Sequence, residues 1–403
     1  MARRKKDHPD QLGFADWVDR LADRARADDV QSQAHKVLCV VLALMGIGLL
    51  VQMGFDASVL EPPELRDSIV GHALFRLCAL SALLFGFSLG PHGLRRFLPA
   101  LTVLVGLLLI GCFLPGIGVE RNGSHRWVSL FGLVFQPSEL ARMVVVLWIA
   151  DRCVRLGERV TEMRRGVLPM LGFVLVYFAL VLAETDLGGA MLLLLCAAST
   201  MWFGGVRSLH LTVPTGAVVA GTVGLGVLLI PYVRRRIELF LGESENLQVA
   251  ATQLALRGGG PFGAGLGQGG SRLASVPYLE SDYVFAQIGE ELGLFGMLLV
   301  LGLYALLLWH SLRLVLSIPD RYEALAAFGL LTAVGLQAML HVQVVTGLAP
   351  PKGMTLPFVS DGGTSLVVSS LAVGLALGAA RRTPQETPSC LRWNAQPSSP
   401  SSF

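Results

Sequence analysis

A lone aspartate, Asp282, marks the point where a polar, glycine-rich stretch meets an apolar stretch long enough to cross a bilayer. A carboxylate at such a boundary can accept a proton from a substrate that is half lipid and half polar, or bind a metal ion against it. Many acidic residues at this kind of position only stabilise a helix N-terminus. The chemistry therefore depends on which other groups reach the same side of the membrane.

Several other polar side chains fall in connections predicted to share a side with Asp282, or near the start of the helices that follow those connections. The cations are Arg126, Arg142 and Lys352, and the remaining candidates are Glu139, Glu184, Asp186, Glu290 and Ser360. Cations in such a place suit an anionic ligand. The glycine run at 258–270 could bring backbone N–H groups close to a phosphate, although such runs are more often flexible linkers.

Simpler interpretations of the acidic residues stay open. Glu139 and Arg142 are three apart on one helix face, so they could pair only with each other and tighten a bundle. Glu184 and Asp186 could lie on a solvated turn. Glu290 is about 12 Å further along a helix than Asp282, so we expect it to line or pack a cavity rather than share a metal ion.

The composition predicts the elements that position these residues. Of the 403 residues, 53% are hydrophobic and 15% are charged, whereas soluble domains carry about 25% charged residues. The apolar residues form blocks of about 20, the length of a membrane-crossing helix. We therefore predict an all-α, polytopic transmembrane helical bundle of about ten spans. The spans run roughly over 36–54, 69–90, 97–115, 137–152, 166–183, 187–204, 209–230, 283–309, 323–346 and 363–380. Polar residues inside them, such as His72, Arg76, Gln337 and His341, are expected to bond between helices.

Alternate connections are rich in arginine, which makes them cytoplasmic by the positive-inside rule. Both termini then lie in the cytoplasm, and Asp282 lies on the outer side of the cell membrane. The expected domains are a cytoplasmic tail at 1–35, a membrane domain at 36–382 with a large outer loop at 231–282 before the eighth span, and a disordered cytoplasmic tail at 383–403. Apolar residues at 12–21 have the spacing of a surface-lying amphipathic helix, with a solvated tail as the alternative.

Four ordered motifs extend this pattern along the chain. They are Asn122-Gly-Ser-His-Arg-Trp127 with Phe135-Gln-Pro-Ser-Glu-Leu-Ala141, Glu184-Thr-Asp-Leu-Gly188, Ser281-Asp-Tyr-Val-Phe-Ala286 with Gly289-Glu-Glu-Leu-Gly293, and Pro351-Lys-Gly-Met-Thr-Leu-Pro-Phe-Val-Ser360 with Gly362-Gly363. Together they resemble the SEDS family, the FtsW/RodA group of polytopic peptidoglycan glycosyltransferases. The resemblance covers about 36–382, and Lys352-Gly before Thr-Leu-Pro-Phe looks more like the division branch (FtsW) than the elongation branch (RodA).

The chain departs in three places from the pattern usual in that family. Glu280-Ser-Asp-Tyr283 stands where His-Thr-Asp-Phe is common, Arg142 replaces a lysine, and Asp361 replaces a tyrosine. The acid at 282 is kept. Arg142 keeps the charge of lysine but not its geometry, and Asp361 adds a negative charge.

The resemblance implies that the substrate is lipid II, polymerised into β-1,4 glycan strands in septal cell-wall synthesis. Because a pyrophosphate leaves without protonation when cations stabilise it, one carboxylate suffices. Asp282 is then the general base of an inverting displacement. Arg126, Arg142 and Lys352 bind the pyrophosphate, and Glu139 orients Arg142. In the alternative, Asp282 is a metal ligand, and either Asp282 or Glu139 would hold a divalent ion such as Mg²⁺ or Mn²⁺.

The resemblance also implies partners. These are a class B penicillin-binding protein transpeptidase and other divisome membrane proteins, with no organic cofactor and no nucleic acid expected. Two other functions stay open. A lipid II flippase would need polar groups along its whole path, whereas those here concentrate at the outer end. A non-catalytic divisome scaffold could use the charged segment 1–35 for its contacts.

Overall fold

The computed structural model describes residues 30–121, 124–130, 132–229, 233–234, 238, 240, 247–269 and 279–381. The segment predicted as an amphipathic helix, 12–21, and the tail at 383–403 lie outside these residues. Helix α1 begins at Val30, so residues 30–35, predicted as tail, are helical.

Helices make up most of the described chain. They are α1 Val30–Val59, α2 Pro62–Arg95, α3 Leu98–Gly111, α4 Pro137–Leu156, α5 Leu168–Ala183, α6 Leu187–Phe203, α7 Ser208–Leu229, α8 Leu247–Gly258, α9 Leu279–Asp282, α10 Val284–Ser317, α11 Arg321–Val345 and α12 Gly363–Gly378. Ten of them coincide with the ten predicted spans, and α8 and α9 lie within the predicted loop at 231–282. The predicted helical bundle is thus confirmed.

Seven described helices are long and apolar enough to cross a membrane: α1, α2, α5, α7, α10, α11 and α12. Here α5 and α12 are counted with the helical turns that adjoin them, so they run over Met163–Ala183 and Gly363–Arg381. Helices α3 and α6 are apolar but shorter, with 14 and 17 residues. Helix α4 has 20 residues, and most of them are buried against other helices. It therefore needs little lipid-facing apolar surface, which explains why its predicted span, 137–152, is shorter than most of the others.

A small antiparallel sheet occupies the connection between α3 and α4, where the all-α prediction had only a loop. Its strands are β1 Gly118–Arg121, β2 Ser124–Leu130 and β3 Leu133–Phe135, with β2 in the middle. Val119 pairs with Trp127, and Val128 pairs with Phe135. Strands this short carry too little periodicity to stand out between two membrane helices. The sheet matters because β2 carries Arg126.

Polar side chains inside the bundle bond from helix to helix, as predicted for His72 and Arg76. Arg76 Nη2 donates to Gln52 Oε1 at 2.6 Å, and Gln52 Nε2 donates to the carbonyl of Val359 at 2.7 Å. His72 Nε2 lies 2.7 Å from Asp56 Oδ2. These bonds hold α1 and α2 against the 346–362 connection.

Helix α10 is broken at Gly293, whose φ of 68° is left-handed. The break leaves two carbonyls of the preceding turn without their usual helical donors. The N–H of Ala264 bonds the carbonyl of Glu290 at 2.9 Å, and the N–H of Gly265 bonds that of Glu291 at 3.0 Å. N–H groups of the glycine run therefore replace the helical donors that these carbonyls lose at the break.

The contact between the glycine run and α10 is reciprocal. The N–H of Leu294 donates to the carbonyl of Gly260 at 2.9 Å. Gly263 has a φ of 81°, and a Cβ there would overlap the carbonyl of Glu291. Since Gly263, Ala264 and Gly265 all donate to protein carbonyls, the described part of the run docks a helix. This differs from the phosphate cradle that its composition suggested.

Candidate active site

Asp282 ends the four-residue helix α9. The next residue, Tyr283, has φ −129° and ψ 24°, so it separates α9 from α10. The carboxylate of Asp282 is half-buried and lies against Gly353. A Cβ added to Gly353 would lie 2.5 Å from Asp282 Oδ2 and 3.4 Å from Oδ1. Only glycine therefore leaves this carboxylate where it is.

Ser360 links helix α9, which ends at Asp282, to the 346–362 connection. Its Oγ donates to the carbonyl of Ser281 at 2.7 Å and accepts from the N–H of Leu356 at 2.7 Å. Ser360 is itself buried. It was predicted in a supporting role, and its contacts join the residue before Asp282 to the 346–362 connection.

Lys352 forms a buried ion pair with Asp186. Nζ lies 2.9 Å from Oδ1, and both side chains are at most 10% exposed. Burial lowers the pKa of Lys352 to about 8 against the opposing effect of Asp186, and the nearby cations Arg126 and Arg142 lower it further. Burial alone would raise the pKa of Asp186, but Lys352, Arg126 and the N–H of Gly189 hold it well below its usual range. Both partners are charged at neutral pH.

Glu184 is fully buried, so the interpretation of a solvated turn is wrong. Among the described residues neither of its carboxylate oxygens has a hydrogen-bond donor. Burial raises the pKa of Glu184 to about 8, with Asp186 adding to the shift, and the nearby Cys112 thiol and Arg126 only partly oppose it. The thiol donates to the carbonyl of Leu108 at 3.6 Å instead. Glu184 is therefore a neutral acid at pH 7.

Arg126 reaches the same turn from strand β2. Its Nη2 donates to the carbonyl of Thr185 at 2.7 Å. Thr185 has a φ of 61°, which strains a β-branched residue. Ser124, on the same strand, donates from Oγ to the carbonyl of Glu184 at 3.3 Å. The sheet thus holds the α5–α6 turn in its strained form and places a guanidinium over it.

Arg142 is held mainly by a residue of another helix. Its Nη1 donates to Gln337 Oε1 at 2.8 Å, and Gln337 Nε2 donates to the carbonyl of Thr355 at 3.1 Å. Glu139 Oε1 is 3.9 Å from Arg142 Nη2, longer than a hydrogen bond. The other oxygen, Glu139 Oε2, is buried with no hydrogen-bond partner among the described residues. Glu139 and Arg142 therefore do not form a self-contained pair.

The structure gathers most of the predicted residues. Direct contacts or charge effects connect Lys352, Asp186, Glu184, Arg126, Arg142 and Glu139. Asp282 adjoins this group through the 346–362 connection, because it lies against Gly353, the neighbour of Lys352, and Ser360 bonds the carbonyl of Ser281. Glu290 lies against the glycine run, since a Cβ on Gly269 would be 2.7 Å from its Oε2. It was expected to line or pack a cavity.

Sequence reasoning missed Gly353 and the bonding role of Gln337. Gly353 directly follows Lys352 in a proline-rich segment, and a glycine beside a candidate charge was the available signal. Gln337 was assigned to general helix-to-helix bonding, whereas it joins Arg142 to Thr355.

The described residues contain no group of three or more His, Cys, Asp or Glu side chains able to enclose a metal ion. A magnesium ion commonly uses one or two carboxylates together with substrate phosphates. Half-buried Asp282 and the unbonded oxygen of Glu139 fit such an open arrangement better than a closed one.

Comparison with known proteins places these residues in a family context. Residues 35–385 match the cell cycle protein family of FtsW, RodA and SpoVE. The chain is 32% identical over 354 residues to stage V sporulation protein E of Bacillus subtilis, covering 86% of this chain and 96% of that protein. It is 33% identical over 356 residues to a probable peptidoglycan glycosyltransferase FtsW of Geobacter sulfurreducens, covering 86% and 94%.

Solved structures agree with the sequence match. A chain of a peptidoglycan synthase complex, studied for its structural coordination of polymerization and crosslinking, is similar with a TM-score of 0.71 and 26% identity, covering 86% of this chain and 96% of that one. The rod shape determining protein RodA of Thermus thermophilus is similar with a TM-score of 0.63 and 25% identity, covering 86% and 95%. With its match over residues 35–385 and its helical bundle, this chain belongs to the FtsW/RodA/SpoVE family of cell cycle proteins.

Proposed function

We propose that this chain is a peptidoglycan glycosyltransferase of the division branch, which polymerises lipid II into β-1,4 glycan strands. The observation that carries the proposal is the contact of Asp282 with Gly353, directly beside the buried Lys352–Asp186 pair. This arrangement sets one half-buried carboxylate against the segment that carries Lys352, and the charges of Arg126 and Arg142 act on that lysine. Relatives named as probable peptidoglycan glycosyltransferases support the reaction class.

Asp282 acts as the general base. It accepts the proton of the acceptor sugar 4-hydroxyl while that oxygen forms a bond to the anomeric carbon of the donor. The bond from this carbon to the pyrophosphate oxygen breaks, and the electron pair leaves with the pyrophosphate. Attack on the face opposite the leaving group converts an α-linked donor into a β-linked glycan. A positioned base contributes about 10²- to 10⁴-fold to such a step.

Lys352, Arg126 and Arg142 bind the leaving pyrophosphate. Lys352 is protonated at neutral pH because its lowered pKa of about 8 is still above 7. Asp186 orients its Nζ through one oxygen, which leaves further N–H donors of the ammonium for a phosphate. Because Glu184 is neutral, it adds no second negative charge beside Asp186 that would repel the pyrophosphate.

Glu139 is the residue that would hold a divalent cation while Asp282 acts as the base; in the alternative, Asp282 itself would be the metal ligand. Such an ion, when bound, supplies charge stabilisation to the pyrophosphate oxygens. Gln337 orients Arg142 whether or not the ion is present, because their 2.8 Å bond involves protein atoms only.

The partner and the orientation follow from the same proposal. A class B penicillin-binding protein transpeptidase would crosslink the strands, in line with the synthase complex that contains a similar chain. The arginine-rich connections favour cytoplasmic termini, with the Asp282 end of the bundle outside the cell membrane.

The test is lipid II polymerisation by purified protein in detergent. Asp282→Asn removes the base without changing the side-chain size, and we expect glycan synthesis to fall by about 10²-fold or more. Asp67→Asn is the matched control, because Asp67 is an exposed acid of α2, and it should polymerise normally.

Two outcomes would contradict the proposal. Near-normal polymer from Asp282→Asn would remove the base. Absence of any polymer from the wild-type protein, with lipid II still bound, would favour the flippase or the scaffold, because detergent leaves no membrane to cross.

A further inference from the structure

A charged cleft lies at the end of the bundle far from Asp282. It has a volume of about 550 Å³ and is lined by Leu89, His92, Gly93, Arg95, Arg96 and Arg155. Arg155 follows Glu139 by 16 residues on helix α4, or about 24 Å along the helix axis. The cleft is therefore separate from the candidate active site.

A break in α2 shapes one wall of the cleft. Gly90 has a left-handed φ of 64° and precedes Pro91, so the last turn of α2 leaves the axis of the long helix. Close packing fixes this break, since a Cβ on Gly378 would lie 2.8 Å from the Cα of Gly90. Tyr322 Oη donates to the carbonyl of Pro91 at 3.3 Å. The final turn thus holds Arg95 over helix α4.

A single carboxylate aligns two of the arginines. Arg95 Nε lies 2.7 Å from Asp151 Oδ1, and Arg155 Nε lies 2.6 Å from Oδ2. The guanidinium of Arg95 also stacks 4.5 Å from the ring centre of Tyr322. Both arginines are bound through Nε, so their terminal Nη groups keep donors for another anion. Such preorganised forks match the oxygens of a phosphate.

The charge of this cleft is not balanced by the described residues that form it. Arg95, Arg96 and Arg155 bring three positive charges, and Asp151 brings one negative charge. An arginine near a helix C-terminus stabilises that helix by itself. A role in helix stability alone would require neither a cleft nor a carboxylate shared between two helices.

We propose that this cleft binds the phosphate ester of an anionic phospholipid headgroup. The chemistry of its rim favours a lipid over a free anion. Arg96 stacks 4.5 Å over the ring of Phe97, which is 47% exposed, and Leu89 lines the cleft itself. A bound headgroup would thus have apolar surface beside it for its acyl chains, as basic pockets at membrane interfaces provide.

The experiment is a lipid titration of the full chain by native mass spectrometry. Detergent-purified protein is titrated with phosphatidylglycerol or with phosphatidylcholine, and bound lipid is counted. The double variant Arg96→Gln/Arg155→Gln removes two guanidinium groups from the cleft. Arg152→Gln/Arg159→Gln is the matched control, because both of its arginines are exposed near the end of α4 and neither lines the cleft.

We expect the wild type to prefer phosphatidylglycerol, the cleft variant to bind it about tenfold more weakly, and the control to change by less than about twofold. The single variant Arg96→Gln keeps both bonds of Asp151, so its fold should be unchanged. A smaller but measurable loss of phosphatidylglycerol binding in this variant therefore excludes misfolding as the cause. Equal loss in the control would overturn the proposal in favour of a general charge effect. Displacement of the lipid by millimolar inorganic phosphate would also overturn it, because the site would then bind a small anion.

Discussion

Substitution of Gly353 tests the geometry of the candidate base without touching an ionisable group. Gly353→Ala adds one methyl group, and Gly353 does not have a positive φ that an L-residue would resist. The new Cβ would lie 2.5 Å from Asp282 Oδ2 and 3.1 Å from Cγ. The carboxylate must therefore move.

The required movement sets the size of the effect. Ordinary van der Waals contact begins near 3.4 Å, so the carboxylate must shift by about 0.9 Å (3.4 minus 2.5). A misplacement of about 1 Å in a reacting group costs on the order of 10²-fold in rate. We expect kcat for lipid II polymerisation to fall by about 10- to 100-fold, and KM to change little because the cations are untouched.

The assay measures glycan formation by purified protein across a lipid II titration. Gly172→Ala is the control, because nothing lies within 4 Å of a Cβ at this glycine. The double variant Gly353→Ala/Asp282→Asn should lose no more than Asp282→Asn alone, since both changes act on one group. Normal kcat in Gly353→Ala, or full additivity in the double variant, would refute the assigned position of the base.

Two further predictions concern the cations. The kcat/KM of the wild type should fall as the pH rises through about 8, because Lys352 loses the proton that makes it a cation. The variant Lys352→Arg stays charged, so its kcat/KM should fall only at higher pH. An unchanged pH profile in this variant would assign the titration to another group, such as Glu184. Arg142→Ala should raise KM, lower kcat, or do both by a total of about tenfold, whereas unchanged kinetics in the same titration would remove Arg142 from the site.

The helices could be predicted because membrane spans have a strong signal. Blocks of about 20 apolar residues leave little alternative to a helix in lipid, and all ten blocks are helical. The charged candidates could also be identified from the sequence, because an ionisable group among apolar helices costs free energy and usually has a function. Lys352 and Asp186 are examples, although only the structure shows that they pair.

The details that shape the site depend on contacts between distant segments. Gly353 matters because of a carboxylate 71 positions earlier in the chain, and its own neighbours do not reveal this. The burial of Glu184 depends on strand β2 covering a turn that looked solvent-exposed. The strands themselves are too short for periodicity, since β3 has three residues.

The break at Gly293 has a mechanical consequence. It divides α10 into a short segment that begins directly after Tyr283 and a long segment that ends at Ser317. The short segment is anchored to α1, because Gln287 Nε2 donates to the carbonyl of Val51 at 3.2 Å. The long segment exposes large apolar side chains to lipid. Because the glycine run bonds the carbonyl of Glu290 before the break and the N–H of Leu294 after it, that run sets the angle between the two segments. Bilayer forces on the long segment therefore act on the glycine run and are not passed along a continuous helix to Asp282.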